Sequence, residues 1–167
     1  MKRSLLIFTA IGLMFLSSGK CLAAKKVTVD NYVRAETDMT FKSYVSKGAL
    51  GKFLHIRKPT PIDEQKVIRM NRDTIYSLGV FDLTEPVTII KPDTKGRFQS
   101  MQVINQDHYT LEVAYNKGEY TFTKDKVGTR YLIILIRTFI DANDPSDIKT
   151  ANELQDQIVV RQKSPGT

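Results

Sequence analysis

Residues 130–140 read RYLIILIRTFI, and this run decides the class of fold. Apolar residues occupy nearly every position, so the run predicts a β-strand that is covered on both faces and lies in the middle of a sheet. Its two internal charges, Arg130 and Arg137, lie an odd number of positions apart and therefore face opposite sides of the strand. A buried arginine needs a carboxylate partner. The candidates are Asp73, Asp107 and Asp141.

Five more strands are predicted between residue 74 and this central run. They are short, rich in β-branched and aromatic residues, and several alternate between apolar and polar positions. They occupy residues 74–83, 87–91, 97–105, 109–115 and 120–123. The links between them are short and contain Pro, Gly, Asn or Asp, which are typical of turns. Short links join antiparallel neighbours, so the pattern predicts a mainly β domain, either a sandwich or a barrel.

One helix is predicted on each side of the strands. The first covers residues 28–46. Its predicted stripe is imperfect and consists of Val29, Tyr32, Val33, Glu36, Met39 and Tyr44. The second begins near Asp144 or Ser146, either of which would cap it. Its predicted buried stripe consists of Ile148, Ala151, Leu154 and Ile158. Residues 52–70 contain two prolines and are expected to be irregular.

The first 23 residues have the features of a secretory signal peptide. A cationic start precedes the apolar run of residues 4–16, which is shorter than the about 20 residues that a membrane-spanning helix needs. A retained anchor is the weaker alternative, and Lys20 disfavours lipid attachment at Cys21. We therefore expect a periplasmic or secreted protein with no stable membrane anchor after cleavage.

The expected domain organisation follows from these boundaries. Cleavage after residue 23 would leave a single domain over residues 24–160 and a flexible tail over residues 161–167. The chain has one cysteine, and cleavage would remove it. Disulfides and thiolate metal sites are therefore not expected.

Basic residues are concentrated in residues 42–72, which hold eight Lys or Arg and two acidic residues. The segment predicts either a solvated face or a contact with an anionic ligand or partner. Nucleic acid is not an expected partner, because no recognition motif is present and the expected compartment is wrong.

The polar stretch VIRMNRDTIYS, residues 67–77, leads into the first predicted strand. Asn71 and Asp73 are typical of turns in which the side chain bonds a nearby backbone amide, and this explains the stretch without any ligand. In the functional interpretation, Asn71, Arg72 and Tyr76 bind a ligand. Both interpretations stay open at this point.

A second polar stretch, NQDHYT at residues 105–110, is predicted to connect two strands as a hairpin. His108 would act as a general base, with Asp73 or Asp107 fixing its tautomer. Asn105 and Arg130 would bind the ligand. The Gly-x-Ser-x-Gly motif of a serine nucleophile is absent. The two histidines of the chain, His55 and His108, are not at metal-ligand spacing. A two-histidine, one-carboxylate site with Asp73 or Asp107 is the weaker alternative. No metal site and no cofactor are predicted.

Several of these segments resemble one known family. The motifs YVRAETD, MNRDTIYS, MQVINQDHY and VGTRY are similar to those of the domain-of-unknown-function family 1254, and the resemblance extends over about residues 28–160. It implies an immunoglobulin-like antiparallel β-sandwich with an N-terminal and a C-terminal helix, and it implies no catalytic residues. It also implies a companion all-β domain of family 1214. Because the sequence stops at Thr167, before any such domain, we expect that a separate chain supplies it, that the protein acts alone, or that it is a remnant.

Two functions follow as hypotheses. The first is a binding module that pairs with a companion all-β subunit or holds a small ligand. The second is a hydrolase-like enzyme or half-enzyme that uses His108 as base and Asp73 or Asp107 as the orienting carboxylate. A sandwich fold does not by itself favour chemistry, so the choice depends on where these residues lie.

Overall fold

The computed structural model describes residues 26–64 and 68–167, and the predicted signal peptide, residues 1–23, lies outside this part of the chain. The main elements follow in chain order: α1 (Tyr32–Val45), β1 (Leu54–Ile56), β2 (Thr74–Asp82), β3 (Val87–Lys91), β4 (Gln99–Asn105), β5 (Thr110–Ala114), β6 (Gly118–Phe122), α2 (Lys124–Val127), β7 (Tyr131–Phe139), α3 (Pro145–Asp156) and β8 (Val159–Gln162). Short 3-10 turns lie at Val29–Asn31 and Ile62–Glu64. The predicted mainly β fold with an N-terminal and a C-terminal helix is confirmed.

β7 is the central strand of a five-stranded sheet with the order β1-β2-β7-β4-β5. All pairings between its strands are antiparallel. β2 and β4 run along both sides of β7, so that Leu135 lies opposite Leu78 on one side and Gln102 on the other. The central position predicted for RYLIILIRTFI is therefore confirmed.

The main core lies between this sheet and a three-stranded sheet with the order β6-β3-β8. Because side chains alternate along a strand, Leu132, Ile134 and Ile136 of β7 all point into this core. Val87 and Ile89 of β3 meet them from the smaller sheet and are fully buried. The two antiparallel sheets thus form a sandwich, which settles the choice between sandwich and barrel.

The other face of the large sheet carries α1. Phe41 is 5% exposed and packs on Val80 of β2 and Ile133 of β7. The buried face of α1 contains Thr37 and Phe41, with Tyr44 packed beside them. The predicted stripe was wrong except for Tyr44, because Tyr32 and Met39 are more than half exposed. The face of α1 that contacts the sheet is therefore marked by Phe41 and Tyr44 and not by Tyr32 or Met39.

The C-terminal segment also differs from the prediction. α3 ends at Asp156, and the following residues form β8, which pairs with β3. Strand structure therefore extends into the expected flexible tail, residues 161–167, as far as Gln162. Beyond it, the Thr167 amide donates to Asp82 Oδ2 at 3.3 Å. This segment becomes a strand because its backbone pairs with β3, on the side of β3 that faces away from β6.

Two more short elements lie outside the predicted helices and strands. β1 is a short edge strand beside β2. α2 is a single helical turn that Thr123 caps at its start. Gly128 ends it with a φ of 78°, in the left-handed region that glycine favours.

Candidate functional site

A cavity of about 330 Å³ lies between α1 and the outer face of the five-stranded sheet. Such a volume is within the range of about 300–1,000 Å³ found for small-molecule sites. The sheet contributes the floor, formed by Tyr76, Leu78, Ile133 and Leu135. These four share one face because they occupy alternate positions on the adjacent strands β2 and β7.

The walls of the cavity come from α1 and from the connections around β1 and β2. α1 supplies Thr37, Thr40, Phe41 and Tyr44. β1 and the connection between β1 and β2 supply Ile56, Lys58, Thr60, Met70 and Asn71. Thr74, Ile104 and His108 complete the lining. The site is therefore largely apolar, with a few polar groups around it, as is typical of small-molecule pockets.

His108 lies at the rim, and its ring is held by a threonine of α1. His108 Nδ1 is 2.9 Å from Thr37 Oγ1, and that hydroxyl donates its proton to the Val33 carbonyl at 2.8 Å. A hydroxyl has only one proton to donate, so Thr37 accepts from His108 Nδ1–H. The neutral ring then carries its free lone pair on Nε2.

The carboxylates predicted to orient His108 have other positions. Asp107 is ion-paired with Arg34 of α1, whose Nε donates to Asp107 Oδ1 at 2.8 Å. Asp73 is exposed, and within residues 26–64 and 68–167 its carboxylate makes no hydrogen bond or ion pair. In the structure, the orienting partner of His108 is therefore Thr37.

The hairpin stretch NQDHYT serves as the attachment point for α1. Gln106 Nε2 donates to Asp38 Oδ1 at 2.7 Å, beside the Arg34–Asp107 ion pair and the Thr37–His108 bond. The hairpin itself is held by Asn105, which is 5% exposed. Its Oδ1 accepts from the amides of residues 107 and 109, both at 3.0 Å. Asn105 is thus a buried structural residue and does not line the cavity.

In the stretch around the start of β2, some residues line the cavity and others do not. Asn71 Oδ1 accepts from the Asp73 amide at 2.7 Å, which confirms the predicted side-chain turn. Asn71 also lines the cavity, as does Tyr76, whereas Arg72 and Asp73 do not. Of the predicted site residues, the cavity therefore brings together Asn71, Tyr76 and His108.

Arg130 lies away from the cavity and pairs with a carboxylate that the sequence did not indicate. Its Nη2 donates to Asp82 Oδ2 at 2.6 Å and its Nε to Oδ1 at 3.1 Å. Asp82 is fully buried and ends β2 opposite Tyr131 of β7. The Arg130 hydrogen bonds, helped by the Thr84 and Thr167 amides, lower the pKa of Asp82 to about 2.

Arg137 also has a partner that differs from the prediction. Its guanidinium lies over the ring of Tyr76, 5.7 Å from the centroid, directly across the β2–β7 ladder. This is a cation–π contact. Within the described residues, the buried Nε of Arg137 has no hydrogen-bond partner. None of Asp73, Asp107 and Asp141 pairs with either arginine.

The second histidine belongs to a buried network on the other side of the large sheet. His55 Nδ1 lies 2.8 Å from Ser77 Oγ, which accepts from Gln155 Nε2 of α3 at 3.1 Å. Burial, with a smaller contribution from the charge of Arg57, lowers the pKa of His55. Ser77 is fully buried, so this Ser–His contact anchors α3 and is not accessible to a substrate.

Few charged groups line the cavity. No Asp or Glu lines the cavity among the described residues. No group of three or more His, Cys, Asp or Glu in the same part of the chain would hold a metal ion. The cavity offers an apolar floor, hydroxyl and amide groups, one ammonium group and one imidazole.

Several lining residues were missed by sequence reasoning, most of them apolar. Thr37, Phe41 and Tyr44 of α1 follow the i, i+4, i+7 spacing of one helix face, a signal that was present in the sequence. The floor residues Leu78 and Leu135 carry no such signal, because an apolar residue on a central strand looks the same beside a cavity as within a core.

The profile of one protein family matches residues 50–162, from just before β1 to the end of β8. That family is described as "Protein of unknown function (DUF1254)". The chain belongs to this family. The DUF1254 match includes both sheets and the basic stretch beside the cavity, while α1 lies before it.

A known structure supports the fold of this DUF1254 domain. The chain is similar to the crystal structure of the VPA0106 protein from Vibrio parahaemolyticus, with a TM-score of 0.60 and 19% sequence identity. The similarity covers 79% of this chain and 35% of the Vibrio chain, so it spans about a third of that protein. At this identity the likeness concerns the fold alone.

Two further results complete the comparison. No curated protein matches the chain. Among the residues that the structure describes, none of the helices has the length and apolar character needed to cross a bilayer.

Proposed function

We propose that the domain is a binding module that holds a small, largely apolar ligand between α1 and the five-stranded sheet. The observation that carries the proposal is the cavity of about 330 Å³ over the apolar floor of β2 and β7. Side chains in this position normally contact the helix that covers the sheet, as Phe41 does with Val80 and Ile133. Ile133, Leu78 and Leu135 also line the cavity beside Phe41, and the space between them is large enough for a small ligand.

The geometry of α1 supports a preformed site. Three side-chain contacts tie α1 to the β4–β5 hairpin, through Arg34, Thr37 and Asp38. These contacts fix one wall of the cavity without a ligand. A preformed cavity loses less conformational entropy when it binds.

The test uses the neutral dye N-phenyl-1-naphthylamine, which fluoresces strongly in apolar surroundings. Leu135→Trp would fill the cavity, while Val113→Trp adds the same side chain to the exposed strand β5 of the same sheet. We expect dye emission to rise with the parent and with Val113→Trp, and to fall to the buffer value with Leu135→Trp. Dye that does not bind the parent, or that binds Leu135→Trp equally well, contradicts the proposal.

A companion subunit is the second candidate. The edge strand β5 exposes Leu111 and Val113, each more than 40% accessible, and the rings of Phe98 and Tyr115 lie 6.0 Å apart beside it. An exposed apolar edge favours association with another chain. We infer that an all-β companion, such as a family 1214 domain, would pair here. Mixing the two purified proteins should give a complex that Val113→Lys prevents, and failure of the parent to bind would exclude this candidate.

We also propose that the protein acts in the periplasm or outside the cell. The support is the cationic, apolar and small-residue pattern of residues 1–23. Expression of the full chain should give an exported product that begins at residue 24. An unprocessed product in the cytoplasm would contradict this localisation.

A further inference from the structure

The formal charge of the described cavity lining is positive. Among the residues that the structure describes, Lys58 is the only Lys, Arg, Asp or Glu in the lining. Lys58 is exposed and forms no ion pair with a described carboxylate. An ammonium group at the edge of an apolar cavity attracts an anion and disfavours a cationic ligand.

A second cleft, of about 730 Å³, extends the positive surroundings of Lys58. It shares five lining residues with the cavity: Tyr44, Ile56, Lys58, Thr60 and Met70. Its own lining adds Lys47, Arg57 and one acid, Glu64. Arg57 is ion-paired with Asp156 at 2.5 Å, so Lys47 and Lys58 are the remaining cations among the described residues of this cleft. The approach to the cavity is therefore positively charged.

Thr74 provides an independent sign of a polar ligand group. It is 4% exposed and lines the cavity, and within the described residues its Oγ1 has no hydrogen-bond partner. Buried hydroxyl groups are normally hydrogen-bonded. A ligand oxygen within reach would satisfy this hydroxyl group.

Strand register brings Thr74 and Lys58 to the same end of the cavity. Ile56 of β1 lies opposite Tyr76 of β2. Lys58 follows Ile56 by two residues, and Thr74 precedes Tyr76 by two residues, so both extend beyond the same end of the strand pair. Asn71 also lines this end, and its Oδ1 already accepts from the Asp73 amide. No described residue accepts a hydrogen bond from the side-chain amide of Asn71, so this amide can act as a donor there.

We propose that the ligand is an amphiphile with a single carboxylate head and an apolar tail, of the size of a medium-chain carboxylic acid. The head lies between the Lys58 ammonium and the Thr74 hydroxyl, where charge-assisted hydrogen bonds are available. The tail lies on Leu78 and Leu135 beneath Phe41. This inference rests on the binding function proposed above and adds the chemical class of the ligand.

The test compares decanoate with decanol as competitors of bound N-phenyl-1-naphthylamine. The two share one tail and differ in the charge of the head. We expect decanoate to displace the dye at about a fivefold lower concentration, because one exposed ion pair contributes about 1 kcal/mol. Lys58→Gln and Thr74→Val should each reduce that preference, whereas Lys149→Gln, on the exposed face of α3, should keep it.

The outcomes separate this inference from the binding function. If the dye does not bind the parent, the binding function itself fails. If the dye binds and decanol displaces it as well as decanoate does, the binding function stands and the carboxylate is excluded. A decanoate preference that survives in both Lys58→Gln and Thr74→Val also overturns the placement of the head.

Discussion

At the scale of single residues, the buried carboxylate of Asp82 is the acceptor for hydrogen bonds from three parts of the chain. It accepts hydrogen bonds from Arg130 and from the amides of Thr84 and Thr167. Asp82→Ala should lower the free energy of unfolding by roughly 1–3 kcal/mol, because it leaves these donors without their acceptor. Urea denaturation measures the loss.

Asp73→Ala is the matched control for Asp82→Ala. Asp73 is exposed and its carboxylate has no partner among the described residues, so the unfolding free energy should change by no more than about 0.5 kcal/mol. Equal effects of the two substitutions would contradict the assignment of Asp82 as the anchoring carboxylate.

Two carboxylates with low pKa values predict how stability depends on pH. Hydrogen bonds from Arg130 and Arg97 lower the pKa values of Asp82 and Asp147, respectively, to about 2, from an ordinary value of 3.8. Because these pKa values are depressed in the folded state, the stabilisation is complete above about pH 4. It is lost as the pH falls towards 2, where the folded state also takes up protons.

Urea denaturation between pH 5 and pH 2 tests this dependence. The unfolding free energy of the parent should fall over that interval, and the double variant Asp82→Asn/Asp147→Asn should show a smaller fall. Identical slopes for parent and double variant would mean that other groups cause the acid sensitivity.

At the scale of elements, α1 is held to the sheet by few apolar contacts. Phe41→Ala should lower the free energy of unfolding by about 3–5 kcal/mol, the usual cost of truncating a buried phenylalanine. Met39→Ala should change it by no more than about 0.5 kcal/mol, because Met39 is 59% exposed. Chemical denaturation of the two variants therefore tells which face of α1 contacts the sheet. A larger loss with Met39→Ala would restore the stripe predicted from the sequence.

At the scale of the whole molecule, β8 closes the smaller sheet. Gln162 Nε2 donates to the carbonyls of Asp82 and Glu85, at 2.7 and 3.1 Å, and so ties β8 to the end of β2. Deleting residues 159–167 removes these bonds and the β3 ladder, at about 1 kcal/mol for each bond lost. The midpoint of thermal unfolding should fall by about 10 °C or more.

Deleting only residues 163–167 provides the control for this truncation. It keeps β8 and the Gln162 bonds and removes the Thr167 contacts with Asp82 and Tyr131. The fall in melting temperature should be clearly smaller. Equal falls for both deletions would show that β8 itself adds little to stability.

The amino-acid sequence by itself determined the class of fold. The apolar run RYLIILIRTFI, the short strands and the turn residues are local signals, and they identified the central strand, the antiparallel pairing and both helices. The Asn71 turn and the left-handed Gly128 were also predictable, because each depends on neighbouring residues only. Local backbone preferences carry this information.

Only the tertiary structure decided the partners of the polar residues and the position of the cavity. Thr37 and His108 are 71 residues apart, and Asp82 and Arg130 are 48 apart. Such pairs depend on strand register and on how α1 crosses the sheet. Neither of these can be read from a local sequence pattern. A cavity is a property of how completely two surfaces fill the space between them. Its residues therefore became recognisable only when the packed sheet and helix were seen together.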